Sequence, residues 1–200
     1  MKEKEILLKL QQEYPVVNKL YPFPDPFIGD SEIKAIVLGA DPSHIVNETP
    51  KPLKKVFQLD NPTSPYWRSI QQNINQLNGL TIDNLYVQNL CRNYFNKETS
   101  KNTDWIEIAR NYWSPFLKIE LDVAFDKSIP ILMTTEFILN SVLKDPNQKI
   151  KAKNIYTNCI SIAPEDNLLG RELIALYRHF HYSLKKDEWS EYNKFINRKL

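Results

Sequence analysis

A carboxylate and an imidazole lie three positions apart just after an apolar segment of the chain. The stretch IKAIVLGADPSHI (33–45) starts with apolar and β-branched residues and then passes through Gly39 to Asp41 and His44. A carboxylate placed there can act as a general base or stabilise a developing positive charge, and an imidazole can donate or accept a hydrogen bond near neutral pH. Alternatively, Asp41 caps a turn and His44 is a partly buried polar residue. The two residues alone leave both interpretations open.

The hydrophobic pattern predicts the elements that must position these side chains. Four apolar segments are typical of strands, and they cover 33–39, 85–90, 128–134 and 154–162. They alternate with helical patterns, which cover 3–14, 64–79, 103–124, 135–143, 171–184 and 188–200. This alternation predicts an α/β fold, a three-layer α/β/α sandwich with a central four-stranded parallel sheet.

Polar or turn-forming residues stand at the end of each predicted strand. They are residues 39–44, Gln88 and Asn89, Thr134 and Thr135, and residues 163–166. In open α/β sheets the carboxyl ends of parallel strands share one edge, and ligands bind there. We therefore expect these four groups to lie along a single edge of the sheet.

The composition indicates one globular domain over residues 1–200. Hydrophobic residues make up 42% and charged residues 25% of the chain, and the formal net charge of +2 permits a nucleic-acid partner without requiring one. Cys91 and Cys159 are too few for a disulfide framework or a four-thiolate metal site. No signal peptide is visible, and no segment is apolar for long enough to span a bilayer. We expect a cytoplasmic monomer that does not bind membranes.

Several familiar motifs are missing from the sequence. It has no GxGxxG dinucleotide fingerprint, no Walker A motif and no GxSxG nucleophile elbow. His179 and His181 are two positions apart on a predicted helix, so they face different directions and make a poor metal pair. We therefore expect no metal and no cofactor. The basic cluster KPLKK (51–55) is either a solvated surface or a phosphate contact.

The segment IVLGADPSH resembles the first motif of the uracil-DNA glycosylase superfamily, in which an apolar strand is followed by GQDPYH. The classical uracil-excising enzymes are the closest members. Four residues match in place, and they are Gly39, Asp41, Pro42 and His44. Ala40 replaces the glutamine of the motif, and Ser43 replaces its tyrosine.

Further short matches follow in the family's order over nearly the whole chain. The proline-bearing segment YPFPDPFIGDSE precedes the first strand, and Phe57 falls where the family has a base-stacking phenylalanine. LYVQNL resembles the strand that ends in the uracil-reading asparagine, which gives that role to Asn89. IPILMT resembles the third strand. ISIAP with the later LYRHFHYS resembles the second motif, HPSPLS, and the start of the last helical region.

The resemblance implies a DNA glycosylase, an enzyme that flips a base out of DNA and hydrolyses its glycosidic bond as in base excision repair, without a metal or cofactor. Asp41 would orient the attacking water, and His44 would position the catalytic loop. Phe57 would stack on the base, and Asn89 would read its polar edge. The remaining implied pocket positions are Gly39, Ala40, Ser43, Ala163 and Pro164, and the implied DNA contacts are Ser64, Leu168, Leu169 and Arg171.

Departures at Ala163, Glu165 and Asp166 support a second hypothesis, and the departure at Ser43 would either admit a larger or modified base or reflect relaxed selection on the site. Ala163 stands where the family has a histidine that stabilises the leaving base, and losing one such donor typically lowers a rate about a hundred- to a thousandfold. Ser43 replaces the tyrosine that blocks the methyl group of thymine. Glu165 and Asp166 place negative charge where DNA phosphates are expected. The leading hypothesis is excision of uracil or a related base. The alternative is an impaired member that binds nucleic acid, a base or a protein without excision.

Overall fold

The computed structural model describes residues 2–42, 52–60, 65–77, 79–177 and 186–200, with the backbone alone at positions 65, 66 and 186. Five strands form one mixed sheet, and they are β1 (Phe27–Ile28), β2 (Ala35–Gly39), β3 (Leu85–Asn89), β4 (Ile131–Met133) and β5 (Leu173–Ala175). Their spatial order is β1-β3-β2-β4-β5. The α/β class predicted from the sequence is confirmed.

Helices cover both faces of the sheet. They are α1 (Glu3–Glu13), α2 (Pro65–Ile74), α3 (Trp105–Ile108), α4 (Ser114–Ala124), α5 (Glu136–Ser141), α6 (Ala152–Thr157) and α7 (Lys186–Asn197). A π-helical segment, Ala109–Trp113, joins α3 to α4. This wider turn lies just before Pro115, whose ring cannot follow a regular α-helical turn. Within the described ranges, no helix has the length and apolarity needed to cross a bilayer.

The sheet differs from the prediction of four parallel strands because it has a fifth strand. β2, β3, β4 and β5 pair in parallel, whereas the two-residue β1 pairs antiparallel with β3. β1 comes from the proline-bearing segment before β2, which is not among the strands predicted from the sequence. Its short length is consistent with the edge of the sheet, where prolines nearby do not interrupt a hydrogen-bonded ladder.

The structure exchanges the identities of two predicted elements. Residues 154–162 were predicted as the fourth strand, but they contain most of α6. Residues 171–184 were predicted as a helix, but they contain β5, whose three residues are all buried beside β4. Both predictions were wrong because a short apolar run does not distinguish a strand from a buried helix. Burial on both faces of the sheet decided the outcome for β5.

The parallel pairing sets the position of the site. Gly39, the last residue of β2, is the register partner of Asn89, the last residue of β3. The chain continues from these two positions into the loops that carry Asp41 and residues 90–102. The carboxyl ends of β2 and β3 thus form one edge of the sheet, as the sequence predicts.

Arg92 anchors the loop after β3 to the helical layer. Its guanidinium donates a hydrogen bond to Glu3 Oε1 at 2.8 Å and a second one to Glu120, and it lies 5.1 Å from the centre of the Phe116 ring. The side chain of Arg92 is 6% exposed. Because a buried guanidinium is stable only with such partners, this cluster fixes where the loop leaves the sheet.

Candidate functional site

Gly39, Phe57 and Asn89 meet at the carboxyl edge of the sheet. A Cβ atom on Gly39 would lie 2.2 Å from Phe57 Cε1 and 2.5 Å from Asn89 Oδ1. Both distances are far below van der Waals contact, so the aromatic ring and the amide occupy the space that a side chain at position 39 would fill. The requirement for glycine here comes from this close approach and not from a turn, because Gly39 is the last residue of a regular strand.

The lead-in segment holds the backbone beside Phe57. The N–H of Asp25 donates to the Lys54 carbonyl at 2.8 Å, and the N–H of Val56 donates to the Asp25 carbonyl at 3.0 Å. These bonds bring residues 52–58 against the proline-bearing segment before β1. The ring of Phe57 consequently approaches Gly39 from a fixed stretch of backbone.

Phe57 and Gln58 adopt an unusual backbone conformation. Their φ angles are 57° and 58°, in the left-handed region that L-residues other than glycine rarely occupy. Each such residue costs about 1–2 kcal/mol. Strain of this kind persists where the surrounding structure holds it in place, and it is concentrated at functional sites. The centre of the Trp67 ring lies 6.2 Å from that of the Phe57 ring.

The side chain of Asn89 carries an unpaired polar atom beside Gly39 and Phe57. Its side chain is buried, and Oδ1 has no hydrogen-bond partner among the described residues. Its backbone N–H donates to Gln88 Oε1 at 2.8 Å. Leaving a buried acceptor unpaired costs free energy, which is recovered when a donor arrives. Asn89 Oδ1 is therefore suited to accept a hydrogen bond from a ligand.

Asp41 is a buried carboxylate two residues beyond Gly39. It is 9% exposed, and burial raises the pKa of Asp41 from its ordinary value of 3.8 to about 7. The Thr99 hydroxyl opposes this shift by donating to Asp41 Oδ1 at 2.5 Å. The indole N–H of Trp105 also lowers this pKa, from a position without good hydrogen-bond geometry. Carboxyl groups with a pKa near 7 are typical of acid–base catalysis.

Cys91, which lies close to Asp41, does not offer a reactive thiolate beside the carboxylate. Cys91 donates its backbone N–H to the Ala40 carbonyl at 2.9 Å, which ties the residue before Asp41 to the loop after β3. Burial, reinforced by the negative charge of Asp41, raises the pKa of the Cys91 thiol well above its ordinary value. The thiol is therefore protonated and unreactive at neutral pH.

Three residues assigned from the sequence lie outside the described residues. They are Ser43, His44 and Ser64. The same holds for His179 and His181. Of the residues assigned to the catalytic and base-recognition roles, the structure brings together Gly39, Ala40, Asp41, Phe57 and Asn89 at one edge of the sheet.

The second predicted motif lies at the opposite edge, which corrects its assignment. Ile162 pairs antiparallel with Leu173, the first residue of β5. Ala163 and Pro164 therefore continue away from the carboxyl edge, toward the side where β2, β4 and β5 begin. The prediction that Ala163 and Pro164 follow a strand at the carboxyl edge was wrong, because the chain forms a helix and not a strand within 154–162.

Hydrogen bonds of the Asn167 side chain fix the loop between Ile162 and β5. The Asn167 amide nitrogen donates to the carbonyls of Ala163 and Arg171 at 2.7 and 2.8 Å, and Oδ1 accepts from the backbone N–H groups of Leu169 and Gly170. These bonds close the loop on itself at the edge where β5 starts.

The DNA contacts assigned to Leu169 and Arg171 are corrected by their burial, whereas the contact assigned to Leu168 stays a prediction. Leu168 is half-buried in this loop, and Leu169 is fully buried in the core. Arg171 is also fully buried, and its guanidinium donates to the carbonyls of Leu121, Phe125, Asp126 and Ile129, at the end of α4 and before β4. The role of Arg171 is to satisfy helix-end carbonyls.

Replacing Arg171 with methionine should lower the free energy of unfolding by about 3–5 kcal/mol, because the carbonyls of Phe125 and Ile129 would lose their side-chain donor and Asp122 would lose an ion-pair partner. Chemical denaturation measures this change. The affinity of the folded protein for DNA should stay within about twofold of wild type, since the side chain does not reach the surface. If the variant had normal stability and weakened DNA binding, the result would support the DNA contact that the sequence predicts for Arg171.

The described residues contain no group of three or more His, Cys, Asp or Glu side chains that could hold a metal ion. Asp41 is paired instead with a hydroxyl donor, Thr99. The chemistry that the described site supports directly is that of a carboxylate, an amide and an aromatic ring.

Sequence reasoning missed Thr99 and Trp105, the two residues that act on Asp41. They lie 58 and 64 positions further along the chain, and neither belongs to a motif of recognisable spacing. Only the packing of the loop after β3 against the loop after β2 brings them to the carboxylate. A local sequence pattern carries no signal for such a contact.

No protein-family model matches the sequence, and no curated protein is significantly similar to it.

Proposed function

We propose that this protein is a DNA glycosylase-like hydrolase that releases uracil or a related base from DNA. One observation carries the proposal: the Phe57 ring and the unpaired Asn89 Oδ1 both lie against Gly39. Gly39 in turn precedes the buried Asp41 by two residues. An aromatic face, an amide and a carboxylate are the three groups that base excision needs to stack, read and cleave. The resemblance to the uracil-DNA glycosylase superfamily assigns the same three roles.

The amide of Asn89 selects the kind of base. Its unpaired Oδ1 needs an N–H donor, and an amide nitrogen beside it can donate to a carbonyl oxygen. Uracil, hypoxanthine and xanthine each present an N–H next to a carbonyl on one edge. A base without that N–H would leave the buried Oδ1 unpaired, and buried mismatches of this type discriminate strongly. Phe57 contributes stacking, which is worth about 1–3 kcal/mol per base.

The carboxylate of Asp41 supplies the hydrolytic chemistry. In its ionised form it accepts a proton from a water molecule whose oxygen attacks C1′ of the sugar. The bond between C1′ and the base nitrogen breaks, and the electron pair leaves with the base. The negative charge also stabilises the cationic sugar that develops as this bond lengthens. Because the pKa of Asp41 is about 7, the ionised form predominates only above neutral pH.

The non-excising alternative loses its main supports at this site. Ala163 was its first argument, and Glu165 with Asp166 was its second. All three lie in the loop before β5, at the edge of the sheet away from Asp41. They therefore neither remove a donor from the neighbourhood of the base nor place negative charge beside it. Excision is the function that the described residues support better.

An excision assay tests the proposal. The purified protein is incubated with labelled single- and double-stranded DNA containing uracil, hypoxanthine, xanthine or thymine, and abasic sites are then cleaved with alkali. Strand breaks at one of these bases with wild-type protein, but not with Asp41→Asn, are expected. Absence of breaks with all four bases, in excess protein and after long incubation above pH 8, would contradict the proposal.

Lys54 offers a phosphate contact beside the proposed base site. Its side chain is exposed, three residues before Phe57. We expect Lys54→Glu to weaken DNA binding and to reduce the slope of log K against log salt concentration by about 0.9, the value for one lost phosphate contact. Salt titrations by fluorescence anisotropy measure this slope.

Lys127→Glu is the matched control for that experiment. Lys127 is 70% exposed and precedes β4, so it lies at the opposite edge of the sheet. Its replacement changes the net charge by the same amount and should leave the slope unchanged. Equal effects of the two substitutions would indicate a response to net charge, and would rule out a local phosphate contact at Lys54.

A further inference from the structure

The geometry points to Thr99 as the positioning residue for Asp41: its hydroxyl holds Oδ1 in place, which leaves Oδ2 as the oxygen that meets the attacking water. This inference rests on the proposed function, because it assigns a role within that reaction. Thr99 acts through the carboxylate of Asp41, so it is a positioning residue and not a catalytic one.

The contact between Thr99 and Asp41 is short and specific. Thr99 Oγ1 donates to Asp41 Oδ1 at 2.5 Å, and within the described part of the chain no other side chain makes a well-aligned hydrogen bond to this carboxylate. The hydroxyl comes from a short 3₁₀ turn, Thr99–Lys101, in the loop after β3. A charge-assisted O–H···O⁻ bond of this length is among the stronger hydrogen bonds in proteins.

One stretch of chain therefore links recognition to hydrolysis. Asn89 ends β3, and the loop that follows it carries Thr99 ten residues later. That loop is held at Arg92 by its ion pairs and at Asn93, whose Oδ1 accepts the indole N–H of Trp113 at 2.8 Å. Because the loop is fixed between Asn89 and Thr99, the amide that reads the base and the donor that orients Asp41 keep a constant spacing.

The direction of the effect follows from the chemistry of the bond. A hydroxyl that donates to a carboxylate stabilises its ionised form, in agreement with the lowering of the Asp41 pKa by Thr99. The ionised form is the one that activates water. Without the hydroxyl, Asp41 stays protonated to a higher pH, and hydrolysis requires more alkaline conditions.

Two substitutions separate this role from a structural one. Thr99→Val keeps the shape of the side chain and removes the donor, whereas Thr99→Ser keeps the donor. Single-turnover base release is measured from pH 5 to pH 9.5. For Thr99→Val we expect the midpoint of the pH profile to rise by about one unit, with the rate at pH 7 lowered about fivefold and restored at high pH. Thr99→Ser should keep the wild-type midpoint. A Thr99→Val profile with an unchanged midpoint would overturn the inference.

A second readout does not depend on catalysis. The melting temperature of each protein is compared with that of its Asp41→Asn counterpart over the same pH range, which isolates the titration of Asp41. The difference in melting temperature between each protein and its Asp41→Asn counterpart should stop changing with pH near pH 7 for wild type and Thr99→Ser. For Thr99→Val it should stop changing about one pH unit higher. If wild type releases no base but this shift is present, Thr99 positions Asp41 and the proposed function fails. If base is released and no shift is present, the proposed function stands and the role of Thr99 fails.

Discussion

Asp41→Asn should lower the single-turnover rate of base release by at least about a hundredfold. Asparagine keeps the size and polarity of the side chain but cannot accept a proton from water, and it carries no charge to stabilise the cationic sugar. Positioned general bases typically contribute about 10²–10⁴ in rate. DNA binding should change little, because Asp41 lies 9% exposed below the surface that DNA would meet. Rates with protein in excess, measured above pH 8, provide the comparison.

The same substitution should make the protein more stable at neutral and alkaline pH. Burial raises the pKa of Asp41 from 3.8 to about 7, so the folded state binds a proton more tightly than the unfolded chain. The stability linked to this proton is fully present below about pH 4 and is lost as the pH rises toward 7. Roughly three pKa units correspond to at most about 4 kcal/mol, which Asp41→Asn should recover in large part above pH 7. Denaturation at pH 4.5 and pH 8 measures the change.

Asp122→Asn is a control with the opposite sign. Asp122 accepts a hydrogen bond from Lys118 at 2.5 Å, and this contact holds the pKa of Asp122 below its ordinary value. A lowered pKa contributes stability above the unfolded pKa that is lost as the pH falls through the folded one. Its replacement should therefore destabilise the protein at pH 8. If Asp41→Asn also lost stability at pH 8, Asp41 would be a structural carboxylate and not a catalytic one.

Gly39→Ala should disrupt the site almost as severely. The new methyl group would lie 2.2 Å from Phe57 Cε1 and 2.5 Å from Asn89 Oδ1, so the ring and the amide must both move. A shift of about 1 Å at such groups lowers rates about a hundredfold, and overpacking costs about 1–3 kcal/mol of stability. Single-turnover base release and chemical denaturation measure the two effects.

Gly29→Ala provides a matched control for that result. A Cβ atom on Gly29 would also meet an atom at 2.2 Å, the carbonyl oxygen of Asp83. This contact lies near the first residues of β3, at the edge of the sheet opposite Gly39. The substitution should destabilise the protein without changing the rate of base release at temperatures where the protein is folded. Loss of activity in both variants in proportion to their stability would show that Gly39 has no special relation to the site.

The sequence predicted three of the four parallel strands because each is an apolar segment ended by a turn-forming or polar residue. The fourth was misplaced because residues 154–162 are rich in β-branched and aromatic residues, while β5 lies in a segment rich in helix-forming residues. Pairing with β4 and burial outweighed these weak preferences. A sequence pattern does not show which strand a segment will pair with, and that pairing determines whether the segment becomes a strand or a helix.

The error in the fourth strand explains the error in the second motif. Since Ala163 was placed after a strand that does not form, a missing donor was attributed to the site. The strand that does reach the carboxyl edge is β5, which ends at Ala175. In the sequence, His179 and His181 follow Ala175 by four and six residues. A search for a residue that donates a hydrogen bond to the leaving base should therefore begin with the replacement of these two histidines by alanine.

Asp41, Phe57 and Asn89 were assigned by resemblance, and the structure gives each a physical setting that the motifs do not contain. The left-handed backbone at Phe57, the unpaired oxygen of Asn89 and the hydroxyl donated by Thr99 all depend on contacts between distant segments. Local sequence identifies the chemical groups. Their protonation and hydrogen bonding are set by burial and by partners from other elements.

The most direct test of the proposed site is the release of a free base. DNA carrying uracil, hypoxanthine or xanthine is incubated with excess protein above pH 8, where Asp41 is ionised, and the released base is identified by mass spectrometry. We predict that wild type releases at least one of the three, and that Asp41→Asn and Asn89→Ala each lower the rate at least about a hundredfold. Release of no base by folded wild-type protein, or equal release by wild type and Asp41→Asn, would contradict the account.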